Sequence, residues 1–120
     1  MHLVERGCLN ILYLNYINNY PSERSHSDVI IHLKNNICLF IDKITQKTVF
    51  DINVLKLILL KYSYRYKYIY NGYSNYIDEF IKIFIIKDNT TFISEFKMKI
   101  NNCDNMFVLF LFFHVFEKIM

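Results

Sequence analysis

The sequence predicts a small α+β domain in which a β-hairpin precedes a set of helices, and three observations carry that reading. Two β-branched runs within Asp28 to Ile41, Val29-Ile30-Ile31 and Ile37-Cys38-Leu39-Phe40-Ile41, flank the polar triplet Lys34-Asn35-Asn36. That is the pattern of two strands about a turn. An apolar stripe at helical spacing then follows Asp51, and the most apolar run of the chain, Met106 to Phe116, closes it. A small all-α helical bundle is the alternative, because Tyr62 to Tyr70 and Phe80 to Ile86 fit either period.

Composition sets the outer bounds. At 120 residues the chain is one domain, and 53% hydrophobic with 18% aromatic residues excludes disorder through lack of apolar surface. More than half of the chain is Ile, Asn, Lys, Tyr, Phe and Met, and Ala is absent. These residues share A/T-rich codons, so an A/T-rich genome shapes the composition along with the fold. A net charge of +3 is too weak to imply nucleic acid by itself. Cys8, Cys38 and Cys103 are widely spaced, in no metal-ligand pattern. They suit reduced thiols in an intracellular chain of the cytoplasm or nucleus. The N-terminus lacks a secretory pattern. Met106 to Phe116 is well short of the roughly 20 residues a bilayer span needs, so it reads as a buried core helix.

The elements follow in order. Residues 1–20 carry a helical stripe from Leu3 to Ile17 that stops before Pro21, and Pro21 to Ser27, PSERSHS, is a linker. Residues 1–27 thus form an extension and linker, and 28–120 form the α+β body. After the hairpin comes polar Asp42 to Thr48. Asp51 is placed to N-cap a helix whose stripe is Val54, Leu55, Ile58, Leu59, Tyr62 and Tyr66, ending about Tyr66. Asn71-Gly72 and Lys87-Asp88-Asn89 mark turns. Thr90 to Ile100 alternates Phe92, Ser94, Phe96, Met98 and Ile100 against its polar partners, a half-buried strand or extended loop. Asp104 or Asn105 caps the last helix, about Asn105 to Lys118.

Catalysis finds little support. His2, His26, His32 and His114 are far apart, and His32 and His114 sit in apolar surroundings as core or boundary residues. No Cys/His spacing suits zinc, so no metal is expected. Gly7 and Gly72 alone cannot build a phosphate loop, so no cofactor is expected either. Asp78 and Glu79 are adjacent and diverge on regular structure. The tyrosines around Lys61, Arg65 and Lys67 have the chemistry to stack bases and meet phosphates. Three cations followed directly by Asp78 and Glu79 make nucleic acid the weaker reading.

One family pattern does match. A hairpin is followed by Phe50-x-Ile52, Val54-Leu55, Lys61 and the tyrosine-cation series Tyr62, Tyr64, Arg65, Tyr66, Lys67 and Tyr68. Ile77-x-Glu79-Phe80 comes next. The whole resembles the elongin C branch of the Skp1/BTB/POZ family. The echo Ile93-x-Glu95-Phe96 before the apolar helix resembles the family's closing segment even better and makes Ile69 to Thr91 an insertion. The family carries a longer segment where this chain has Asp42 to Val49, so the helices that help contact cullins lack a counterpart.

The resemblance implies a non-enzymatic protein-protein interaction adaptor, an elongin C- or Skp1-like subunit of a cullin-type ubiquitin ligase. A sheet edge would pair with a ubiquitin-like, elongin B-type subunit. An apolar groove walled by Tyr62, Tyr66, Phe80, Leu109, Phe112, Phe113 and Phe116 would take an amphipathic substrate-receptor helix. Packed otherwise, the same side chains are simply a core. The alternatives are a small helical protein of viral type that binds host proteins, and a truncated or spurious reading frame without selected function.

Overall fold

A computed structural model describes residues 12–16, 18, 26–47, 51–69, 72 and 74–119, and these form helices joined by short connections. In chain order they are α1 (His26–Thr45), α2 (Ile52–Ile69), α3 (Ser74–Phe84), α4 (Asn89–Asn101) and α5 (Met106–Ile119), preceded by helical residues 12–16. Among the described residues there is no strand. The α+β, Skp1/BTB/POZ-like expectation is therefore overturned, and the all-α alternative fits. Most of the linker Pro21 to Ser27, along with Phe50, Tyr70 and Asn71, lies outside the described residues. So does most of the stripe from Leu3 to Ile17.

The expected hairpin is the single helix α1. Its buried residues are Val29, Ile30, Leu33, Ile37, Ile41 and Ile44, spaced at three and four, which is a helical face. Ile31 and Leu39, which a strand would have used, point to solvent. The supposed turn triplet has helical work instead. The Lys34 ammonium donates to the Asn101 carbonyl at 2.7 Å and pairs with Asp104 at 3.0 Å, and the Asn36 amide donates to the His32 carbonyl at 2.8 Å. Lys34 thereby places a cation at the α4 C-terminus, where orphan carbonyls favour one. Side-chain packing outweighed the β-branched excess that suggested strands.

The expected strand Thr90 to Ile100 is likewise helical. Phe92, Phe96 and Ile100 are buried, and they satisfy a spacing of four as well as of two. Asp88 decides between them: its carboxylate accepts from the Thr90 N–H at 3.0 Å and the Thr91 hydroxyl at 3.1 Å, which caps the first turn. The other caps are as the sequence suggests. Asp51 accepts from the Asn53 N–H at 2.8 Å, and Asn105 accepts from the Val108 N–H at 3.0 Å. Helix α2 runs one turn beyond Tyr66, to Ile69.

Helix α5 is the centre. Its residues from Met106 to Phe112 are all buried, together with Val115 and Phe116, so its first two turns are covered on every side. Helix α1 packs along α5 and also meets α4; α2 packs along α3 and touches α5; α3 packs on α4. No described helix is long and apolar enough to cross a membrane. At the junction of α3, α4 and α5, Phe80, Phe84, Phe96 and Phe112 form a closed set of rings. Phe80 and Phe112 lie 4.6 Å apart, while Phe84–Phe96 (5.1 Å), Phe84–Phe112 (5.7 Å) and Phe96–Phe112 (5.7 Å) meet edge to face. Such geometry sets the positive ring edge against a negative face and adds to simple burial.

Phe112 touches each of the other three rings, so Phe112→Ala opens a void that neighbouring rings cannot fill. The expected cost is about 3–5 kcal/mol, measured by urea denaturation, and far-ultraviolet circular dichroism of the parent should show helix without a strand component.

Candidate functional site: an apolar groove beside helix α2

Helix α2 buries Leu55, Leu59, Ser63 and Tyr66 toward the core. Its opposite side is not wholly polar. Leu57 is 65% exposed and Val54 46% exposed, and just past α3 Ile85 is 61% exposed. Leu57 and Ile85 border a groove of about 560 Å³ lined by Asn53, Lys56, Leu57 and Leu60 from α2, Phe84, and Ile85, Ile86 and Lys87. Phe84 reaches this groove from the ring cluster, so the floor is part of the rigid core. The connection Ile85 to Asp88 is short because the Ile86 N–H bonds the Ile83 carbonyl at 3.1 Å and Asp88 immediately starts α4.

Lys56 is the unusual member. Only 8% exposed, it donates to the Asn89 side-chain carbonyl at 3.0 Å and to the Lys87 carbonyl at 3.4 Å, and its ammonium lies 5.4 Å from the Phe92 ring centre. A buried cation needs such partners. Lys56 thus ties α2 to the start of α4 and fixes one wall of the groove. The Asp88 carboxyl is held below its ordinary value, chiefly by the Thr91 hydroxyl, then by the N–H groups of Thr90 and Thr91, with help from Lys56.

The residues expected to wall a groove lie elsewhere. Tyr66, Phe80, Leu109, Phe112 and Phe116 are buried in the core. Phe113 is half-buried beside Phe40, Phe110 and Tyr16. Tyr62 is half-buried, with Arg65 5.5 Å and Lys118 5.7 Å from its ring centre and Tyr66 stacked at 6.0 Å. As folded, five of the seven are buried, while Phe80 also lines a small pocket with Tyr76 and Cys103, and Phe113 a shallow one with Tyr16 and His114. The groove beside Leu57 and Ile85 lies on the other flank of α2. Leu57 was the available signal for it: an apolar residue at helical phase opposite Leu55 and Leu59.

The remaining candidates for chemistry are dispersed. Asp78 pairs with Lys67 at 2.5 Å, while Glu79 turns to Lys82 and Lys99 at 3.1 and 3.4 Å. Burial pushes the Cys38 and Cys103 thiols above their usual value, which disfavours the reactive thiolate. His114 is stacked on Phe110 at 6.2 Å, and burial lowers its pKa. Among the described residues no three His, Cys, Asp or Glu side chains converge to hold a metal. Comparison with known proteins adds no relative: no family model, curated protein or solved structure matches this chain.

Two predictions test the wall. Lys56→Met should cost about 1–3 kcal/mol, since it strands the Asn89 and Lys87 acceptors, and hydrogen exchange should quicken at the first turn of α4. Because the folded Asp88 carboxyl titrates below its unfolded value, its contribution is present above the unfolded pKa and lost as pH falls through the folded one. Thermal melts of Asp88→Asn, which keeps a capping oxygen without the charge, should therefore depend less on pH than the parent's across the acid range.

Proposed function

We propose that this chain is a non-enzymatic, intracellular protein-interaction adaptor that holds a segment of another protein in the groove beside α2. One observation carries the reading. Leu57 and Ile85 stand largely exposed at the borders of a concave surface whose floor, Phe84, is anchored in the ring cluster. Exposed apolar side chains scattered singly are ordinary, but those grouped around a preformed groove suit recognition. The free Cys38 and Cys103 fit a reducing compartment.

The ligase-subunit form of this reading needed a sheet edge for an elongin B-type subunit, and helix α1 occupies that part of the chain. The adaptor role now rests on the groove, and elongin B-type and cullin proteins are partners to be tried rather than premises. A nucleic-acid role is weaker on geometry as well: Tyr66 is buried, Tyr62 is flanked by Arg65 and Lys118, and Lys67 is paired with Asp78.

A photo-crosslinking residue at position 57 or 85 should give discrete adducts in cells, and one at exposed Ile31 should not. The adduct partner, once purified, should bind the parent at least tenfold more tightly than Leu57→Ser/Ile85→Ser, a difference of about 1.4 kcal/mol or more. That variant should match the parent's stability to within about 0.5 kcal/mol, since both side chains project into solvent. Equal adducts at position 31, or none at 57 and 85, would remove the proposal. Pull-down with purified elongin B-type and cullin proteins tests the specialised form.

A further inference from the structure

We infer that the segment this groove accepts is an acidic amphipathic helix, an inference that rests on the adaptor reading above. Length comes first. From Asn53 to Leu60 the α2 wall advances about 10 Å at 1.5 Å per residue, which matches about two turns of a visiting helix laid alongside. Such a visitor presents apolar side chains at i, i+3 or i+4, and i+7. The alternative of an added β-strand lacks a template, because no described residue belongs to a strand.

The sign of charge comes second. Helix α2 contains Lys56, Lys61, Arg65 and Lys67 and no carboxylate. Five lysines are paired with carboxylates: Lys34 with Asp104, Lys67 with Asp78, Lys97 with Asp42, and Lys82 and Lys99 with Glu79. Lys87 lines the groove, and Lys61 lies one turn beyond Leu57. Neither has an ion pair among the described residues. The two nearest carboxylates in sequence, Asp51 and Asp88, are committed to capping the N-termini of α2 and α4. Lys56 is also committed, to Asn89 and Lys87. The groove therefore offers an apolar strip with two available ammonium groups beside it. Carboxylates on the borders of a visiting apolar face would meet them, which steers approach and fixes orientation. A second copy of this chain fits poorly, since a two-fold contact would set Lys61 and Lys87 against like charges.

A displayed library of random 16-residue peptides, selected on the full chain and depleted on Leu57→Ser/Ile85→Ser, supplies the test. The enriched peptides should be net negative with apolar residues at i, i+3 or i+4, and i+7. A synthetic member should gain helical circular dichroism on binding. It should lose at least tenfold in affinity to Leu57→Ser/Ile85→Ser and threefold or more to Lys61→Glu/Lys87→Glu, with the second loss shrinking as salt rises. Peptides that need Leu57 and Ile85 but show no acidic bias would overturn the charge assignment and leave the groove as an interaction surface. A failure to enrich any Leu57-dependent peptide would overturn both. Leu57-dependent capture by phosphatidylserine vesicles, with no peptide bound, would assign the face to a lipid surface and overturn the helix.

Discussion

The mutual packing of Phe80, Phe84, Phe96 and Phe112 is the constraint from which the rest of the molecule follows. Four rings from three helices fill one another's gaps, so none of α3, α4 or α5 can shift alone. Close-packed interiors transmit such constraints because a vacancy loses both burial and dispersion contacts. Phe92 and Phe116 extend the set by stacking on Phe96 at 5.8 and 6.2 Å. The apolar first two turns of helix α5 are thereby covered by α1, α2 and the rings of α3 and α4.

The groove is a consequence of that enclosure. Phe84 must point inward to meet Phe96 and Phe112, and the chain ends α3 immediately afterwards. Ile85 and Ile86 are then carried over the edge toward α2, beside Leu57 and Leu60. Lys56 keeps this edge from collapsing onto α2 by holding the carbonyl of Lys87 and the side chain of Asn89. An apolar surface is thus sustained by a buried cation and a rigid floor, an arrangement suited to holding a shape for a partner. Ion pairs join α1 to α4, α3 to α4 and α2 to α3, while Lys61 and Lys87 beside the groove have no ion pair among the described residues.

Several elements were legible without coordinates. Asp51 and Asn105 announced helix starts, and the stripe Leu55, Leu59 and Tyr66 located the inward face of α2. The run from Met106 announced a buried helix. The misreading of α1 and α4 has one physical source. Isoleucine, valine and phenylalanine at every second position favour a strand only when the intervening residues are consistently polar, and here the spacing-of-four subset was the one that mattered. Phe92, Phe96 and Ile100 belong to both patterns. Ser94 and Met98, exposed in the structure, belong only to the strand pattern and were the discriminating letters.

By itself the sequence determined that the chain would bury a large aromatic core, where two helices begin, and that Lys, Asn and Asp would lie mostly outside. Those outcomes follow from hydrophobicity and from local side-chain-to-backbone bonds, which act within a few residues of chain. Which aromatic rings became core and which apolar side chains stayed outside was decided only by tertiary packing. Tyr66 and Phe112 vanished inside while Leu57 and Ile85 stayed out, because the direction of each side chain depends on how one helix is rotated against the next. That rotation is set by contacts between residues distant in sequence.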